Sequence, residues 1–290
     1  MTIRKKIFYL LVLLLSIALS IKINYNIFIS DEQQYHKKII DELKIGYDFI
    51  LESNRKTAKQ FFCNSIEQPE ILEIFAKATS GDEKVKNKCR KELYNKLIKS
   101  YNRVKSRGVR QLHFHLPNSE SFLRFHRVQR FGDNLTGVRY SVDKANRELV
   151  EVSGFEEGRI FNGFRNVFPI IYKGKHLGSV EISMSFSSIS NTMEKMLRSK
   201  TNFIIRKKLV EQKVFESEKK NYNQTIFSDD YLCDKCIVHD SIVAKLNKLI
   251  KNEVISQLDD NRSFVLHKRV DENIYHIIFI PIKNIEGKCA

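Results

Sequence analysis

The chain has 290 residues, of which 42% are hydrophobic and 29% charged, and carries a formal net charge of +16. That apolar content supports a packed core in one large domain or two small ones and excludes a disordered chain. Clustered Lys and Arg neutralise phosphates, but here the basic residues alternate with acids along helical stretches, as at Lys84, Lys86, Lys88, Arg90 and Lys91. A solvated face accounts for them better than a nucleic-acid surface.

Residues 7–21 form an uncharged, mostly apolar run interrupted only by Ser16 and Ser20. Arg4, Lys5 and Lys6 precede it, and Lys22 is followed by Ile23, Ile27, Phe28 and Ile29. A hydrocarbon core needs about 20 residues, a length reached if Lys22 snorkels. Ser20-Ile21-Lys22 offers no small-x-small cleavage site, so the segment reads as an uncleaved signal anchor. The basic cluster places the N-terminus in the cytoplasm and the rest outside, which removes nucleic acid as a partner.

From Asp31 to about Cys63 there is no proline, and Ile39, Ile40, Leu43, Tyr47, Ile50 and Leu51 mark one stripe of a long amphipathic helix. The break at Glu67-Gln68-Pro69-Glu70 opens a second helix, and Ser80-Gly81-Asp82 separates it from a third that reaches about Ser106. The period then becomes two. Leu112, Phe114 and Leu116 alternate with His113 and His115, and residues 122–127 repeat the alternation, predicting two strands. After a polar stretch over 132–137, a helix is expected over 140–148, and a hairpin over 163–172 and 178–186 around Lys173-Gly174-Lys175. Residues 187–208 read as one helix with Ile189, Met193, Met196 and Leu197 on a face. A smaller second unit follows, with a helix over 241–257 and strands over 263–268 and 273–282. The sequence ends just after a strand, where a returning strand, a second membrane helix and an output domain are expected.

Five cysteines, Cys63, Cys89, Cys233, Cys236 and Cys289, lie outside the predicted anchor, in a compartment where disulfides persist. Cys233-Asp234-Lys235-Cys236 reads as a local disulfide or a pair of thiols. With His239 it is half a zinc site at most, since no second close pair follows. Cys63 with Cys89 is a possible second bridge.

Several segments together carry a family resemblance. They are Leu112-His113-Phe114-His115-Leu116-Pro117, Ser121-Phe122-Leu123-Arg124-Phe125-His126-Arg127, Arg130-Phe131-Gly132-Asp133-Asn134-Leu135, Gly163-Phe164-Arg165-Asn166-Val167-Phe168-Pro169 and His176-Leu177-Gly178-Ser179-Val180-Glu181-Ile182-Ser183. In that order, behind a membrane helix and a stalk, they resemble the double Cache sensory domains of bacterial chemoreceptors, sensor histidine kinases and diguanylate cyclases. The resemblance implies an α+β fold: a transmembrane helix and long stalk helix, then two PAS-like antiparallel-sheet modules, the second truncated. The expected division is a cytoplasmic tip and anchor over 1–29, a stalk helix over 30–63, a membrane-distal domain over 64–190, a connecting helix over 191–212 and an incomplete membrane-proximal domain over 213–290. It also implies a small molecule held by the distal sheet, with binding transmitted as a helix displacement to a cytoplasmic output.

The candidate ligand contacts are His113, His115, Arg124, His126, Arg127, Asp133, Arg165 and Glu181. On the predicted strand phases His113 and His115 share one face, as do Arg124 and His126, gathering four potential cations that require an anion. An anionic ligand supplies it in one reading; Asp133 and Glu181 supply it internally in the other. Arg165 has the planar fork that clamps a carboxylate, whereas solvent exposure explains Arg127 and Arg139 equally well. Phe114, Phe125, Phe131 and Phe168 read as core. His113, His115, His126 and Asp133 have metal-ligand spacing, but a strand histidine is more often a hydrogen-bonded core residue. No cofactor or metal is expected. No nucleophile elbow, phosphate loop or metalloprotease motif occurs, so a sensor, not an enzyme, is expected. The alternative is a structural module that dimerises through the stalk helix without a small-molecule ligand.

Overall fold

In the computed structural model of the chain, residues 3–160, 162–235 and 241–289 are described. The predicted anchor and stalk are one uninterrupted helix, α1 (Ile3–Phe61), of 59 residues, about 90 Å long at 1.5 Å per residue. Its N-terminal part presents Leu10, Leu11, Leu13 and Leu14 outward, and it is long and apolar enough to cross a membrane. A π turn over Phe62–Ile66 ends it. Helix α2 (Pro69–Ser80) opens on a proline, whose missing N–H is harmless at a first helical position. The Asp82 carboxylate caps α3 (Glu83–Lys105) by accepting from the Val85 N–H at 2.9 Å. Three helices therefore precede any strand, as the sequence predicts.

Strands β1 (Val109–His115), β2 (Ser121–Arg124), β3 (Val152–Glu156), β4 (Gly163–Tyr172) and β5 (Lys175–Met184) form an antiparallel sheet in the order β2-β1-β5-β4-β3, with α4 (Tyr140–Glu148) between β2 and β3 in the chain. The β4–β5 hairpin turns through Lys173 and Gly174, both with positive φ, the signature of a two-residue turn matched to strand twist. Leu112, Phe114, Val180, Ile182, Phe168 and Ile170 lie on one face and pack on Ile71, Phe75, Leu93 and Leu97 of α2 and α3. The alternate residues of the same strands, His113, His115, Ser179, Glu181, Ser183, Arg165 and Val167, take the other face by the two-residue period.

Helix α5 (Phe186–Leu197) leaves the sheet and lies on α1, where Tyr47, Ile50 and Leu51 meet Ile189, Met193 and Leu197. Gly46 permits this approach, since a Cβ there would sit 2.8 Å from Leu197 Cδ1. Beyond it, β6 (Ile204–Arg206), α6 (Lys207–Lys213), β7 (Tyr222–Gln224) and β8 (Tyr231–Asp234) build a three-stranded sheet in the order β6-β8-β7. Helix α7 (Ser241–Ile255) and the hairpin of β9 (Phe264–Val270) and β10 (Asn273–Phe279) follow. The whole is α+β, a long apolar helix followed by antiparallel-sheet modules.

Four local expectations are corrected. The helix predicted over 187–208 breaks where Arg198 turns left-handed at φ 52° and the backbone extends into β6, leaving Met196 exposed. The second strand stops at Arg124, because Phe125 to Gln129 turn. Phe131 is 40% exposed and stacks under the Arg90 guanidinium at 3.7 Å instead of joining the core. Cys63 and Cys89 are separate thiols, one in the π turn and one buried on α3, and burial raises the pKa of each. Cys236, half of the proposed Cys233–Cys236 pair, lies outside the described residues.

Candidate functional site

The polar face of the sheet is built around Glu181. Its position in the middle of β5, opposite His113 on β1 and Val167 on β4, buries it completely. Arg165 on β4 donates through Nη1 to Oε1 at 2.6 Å, and Arg139, the residue before α4, donates through Nη2 to Oε2 at 2.8 Å. Burial by itself would raise the Glu181 pKa, but these two guanidiniums outweigh it and hold the carboxyl well below the usual range. Arg165 also reaches Gln111 Oε1 at 3.1 Å and Ser183 Oγ at 3.2 Å. Arg139 donates through Nε to Glu156 Oε2 at 2.8 Å, and Glu156 in turn accepts from the Ser141 N–H and hydroxyl. Arg139, for which solvent exposure is an equally good explanation from sequence alone, is thus buried in the network.

His113 and His115 form a hydrogen-bonded relay. His115 Nδ1 pairs with Ser179 Oγ at 3.1 Å, His115 Nε2 with His113 Nδ1 at 3.0 Å, and His113 Nε2 with Ser121 Oγ at 2.8 Å. Burial depresses both rings, His113 well below 6.5 and His115 to about 3; burial likewise takes His126 to about 3. The expected group of four cations therefore contains one true cation, Arg124. The Arg124 guanidinium is held bidentately by Asp133, at 2.6 and 2.9 Å, and the Asp133 carboxyl, which burial pushes up, is pulled down overall by that bond.

Between these groups opens a cleft enclosing about 300 Å³ of empty space including its mouth, lined by Gln111, His113, Arg124, His126, Leu135, Arg139, Arg159, Ile160 and Arg165 among others. Of the expected site residues, His113, Arg124, His126 and Arg165 reach the cleft directly. Asp133 and Glu181 bind the arginines that line it, and His115 lies behind His113. Arg127 is not part of it: its half-exposed side chain pairs with Glu218 at 2.8 Å. Sequence reasoning missed Gln111, Ser179 and Ser183, which the period-two pattern of β1 and β5 places beside His113 and Glu181. It also missed Glu156, at the end of β3, and Arg159, and it left Arg139 undecided, since the paths that bring these two arginines to the sheet carry no local signal.

Two features bear on what the cleft holds. Four arginines, Arg124, Arg139, Arg159 and Arg165, face three carboxylates bonded to them, Asp133, Glu156 and Glu181. With the histidines neutral, one positive charge is in excess. Arg159, at the mouth, is 3.9 Å from Asp133, which Arg124 already engages. Buried His126 Nδ1 has no hydrogen-bond partner among the described residues. A metal ion fits His113, His115 and Glu181 poorly despite their proximity. All four ring nitrogens are engaged, and both carboxylate oxygens accept from guanidiniums that would repel a cation.

The family model described as the double sensory domain of two-component sensor kinases matches residues 32–229. None of the curated proteins matches. Among solved structures, the ligand-binding domain of the Campylobacter jejuni chemoreceptor Tlp3 in complex with 4-methylisoleucine is 12% identical, covering 81% of each chain with a TM-score of 0.39. A putative sensory box/GGDEF family protein from Vibrio parahaemolyticus is 10% identical, covering 84% of this chain and 88% of that one, with a TM-score of 0.40. The sensor domain of the V. cholerae histidine kinase DctB is 14% identical, covering 55% and 64%, with a TM-score of 0.34.

Proposed function

This chain belongs to the family of double sensory domains of two-component sensor kinases, and from that premise we propose that it is the extracytoplasmic ligand-sensing region of a bacterial transmembrane receptor. The family is sensory and ligand-binding, not catalytic. In this reading the five-stranded module is the membrane-distal domain, and its cleft binds a small molecule bearing a carboxylate or similar anion. The observation that carries the reading is the surplus positive charge of the cleft, displayed at its mouth by Arg159. The unpartnered Nδ1 of His126 adds a second polar contact, as acceptor or as donor according to tautomer. Arg124 and Arg165 orient the ligand from positions already fixed by Asp133 and Glu181.

Transmission follows the packing. The sheet's last strand continues into α5, α5 lies on α1, and α1 runs toward the membrane. A ligand shifts this helix only by binding its two positions with different affinity. Ile45 and Phe49, one turn apart on α1, are 70% and 62% exposed, an apolar pair that supports a homodimer formed through the stalk.

The test is thermal unfolding of the full chain in detergent micelles against amino acids, dicarboxylates, small inorganic anions and amines. An anion at a hundred times its dissociation constant adds about 2.7 kcal/mol, raising the midpoint by several degrees. The shift is expected to vanish in Arg159→Gln, which removes the surplus charge without breaking a short ion pair. A second reading, a ligand-free dimerisation module, is favoured by the completeness of the internal pairs around Glu181. It gains if no anion shifts the folded parent while Ile45→Glu with Phe49→Glu converts a dimer to a monomer.

A further inference from the structure

A second cluster of chemistry-bearing side chains lies far from the cleft, at the start of the stalk. Glu32 and His36 stand one helical turn apart on α1, and so on one face, just beyond the apolar stretch that closes at Ile29. Against them lies the β9–β10 hairpin, in which His267 and His276 are directly paired across the strands. His36 Nε2 and His267 Nε2 face each other at 2.5 Å, and His36 Nε2 is 3.9 Å from Glu32 Oε1. The ligand atoms of Glu32, His36 and His267 all lie within 4.8 Å of one another.

Two imidazole nitrogens facing at that distance need a proton or a metal ion between them, because their lone pairs repel. What stands behind His267 is the arrangement a metal-bound histidine requires. Its other nitrogen, Nδ1, meets His276 Nδ1 at 2.7 Å, and His276 Nε2 meets the Tyr35 hydroxyl at 3.4 Å. A histidine that ligates a metal through Nε2 carries its proton on Nδ1 and donates it to an acceptor that fixes the ring. His276 Nδ1 is that acceptor when its own proton is on Nε2, directed at Tyr35. Two imidazoles and one carboxylate are a borderline donor set that suits zinc and its first-row neighbours. With Zn–N near 2.0 Å, two nitrogens on a tetrahedral ion lie about 3.3 Å apart, a separation reached by a small rotation of half-buried rings. Glu32 is exposed, leaving the fourth position to water.

We propose that Glu32, His36 and His267 form a binding site for a divalent transition metal ion of the zinc class, which ties the stalk helix to the β9–β10 hairpin near the membrane. His276 and Tyr35 orient His267 from behind. The ion joins residues 231 positions apart in sequence, His36 and His267, and thereby restrains the helix whose displacement would carry a signal. The site does not depend on the ligand chemistry of the cleft.

The full chain in detergent micelles, stripped with chelator and then titrated with zinc, supplies the test. The parent is expected to hold one more zinc per chain than His36→Gln with His267→Gln, counted by mass spectrometry after desalting. Its unfolding midpoint should rise by several degrees with zinc, while that of the double variant stays still. His276→Phe keeps all three ligands and removes the acceptor behind His267, so zinc affinity should fall 10–100-fold. On the unaltered chain, zinc should protect His36 and His267 from diethyl pyrocarbonate, which keeps the test valid if the double variant fails to fold. Equal zinc uptake by parent and double variant, no uptake by either, or equal modification of both histidines with and without zinc overturns the proposal.

Discussion

Removing the charge of Glu181 leaves the two guanidiniums that bind it, of Arg139 and Arg165, facing each other in a buried site. Breaking such a pair from one side costs about 3–5 kcal/mol, so Glu181→Gln is expected to lower the unfolding free energy by that amount, read from chemical denaturation monitored by circular dichroism. Arg165→Ala should cost as much, and it is for that reason a poor probe of binding, whereas Arg159→Gln should change stability by less than about 0.5 kcal/mol, as surface substitutions do. The buried histidines set the pH dependence. His113, His115 and His126 are all depressed below 6.5 by burial in the folded state, so the unfolded chain binds more protons as pH falls. Their contribution is complete above about pH 6.5 and is lost toward pH 3, at roughly 1.4 kcal/mol per pH unit for each histidine. Glu181, also depressed, adds to the loss below its ordinary range. Unfolding free energies measured from pH 7 to pH 5 should fall steeply, and His126→Gln should reduce the slope by about one proton.

Among the elements, the pairing of β1 with β5 sets the geometry of the site, since it brings His113 opposite Glu181 and His115 opposite Ser179. Gly178 allows the strands to close. Its φ is +124°, and a Cβ there would lie 2.0 Å from the His115 carbonyl oxygen. Gly178→Ala should cost about 1–3 kcal/mol for the backbone conformation alone, with the steric clash added. Because the carbonyl cannot retreat without shifting β1, the substitution should also disturb the histidine relay. Amide hydrogen exchange across β1 and β5 checks this: protection should fall at both strands while α2 and α3 keep theirs.

For the whole molecule, the decisive feature is that one continuous helix serves as apolar segment and stalk. A rigid rod of this kind carries a displacement at one end to the other, whereas a hinge would absorb it. The proposed membrane attachment through residues 3–30 predicts that the chain stays with the membrane pellet after an alkaline carbonate wash and moves to the supernatant when residues 1–29 are deleted. That outcome follows from exposed apolar side chains, at about 0.8 kcal/mol per buried CH₂.

The sequence by itself determined whatever is periodic and local. The 15-residue apolar run and the proline-free stretch after it specify the long helix, because backbone hydrogen bonding and side-chain burial there depend only on near neighbours. The alternation of His113 and His115 with Leu112, Phe114 and Leu116 specified a strand with one polar and one apolar face. Spacing also identified Arg165 and Glu181 as strand residues worth watching. Tertiary structure decided which charges meet. Arg139 and Arg159 lie in segments without periodicity, and only the folding of those segments over the sheet buries Arg139 between Glu156 and Glu181 and brings Arg159 to the cleft. It also decided the charge of the histidines, since desolvation by distant parts of the chain keeps them neutral, and the helix break at Arg198, where packing outweighed a good helical pattern. Glu32 and His36 lie 231 or more residues before His267. Their encounter is a product of the long-range docking of the last hairpin on the stalk, which no spacing in the sequence encodes.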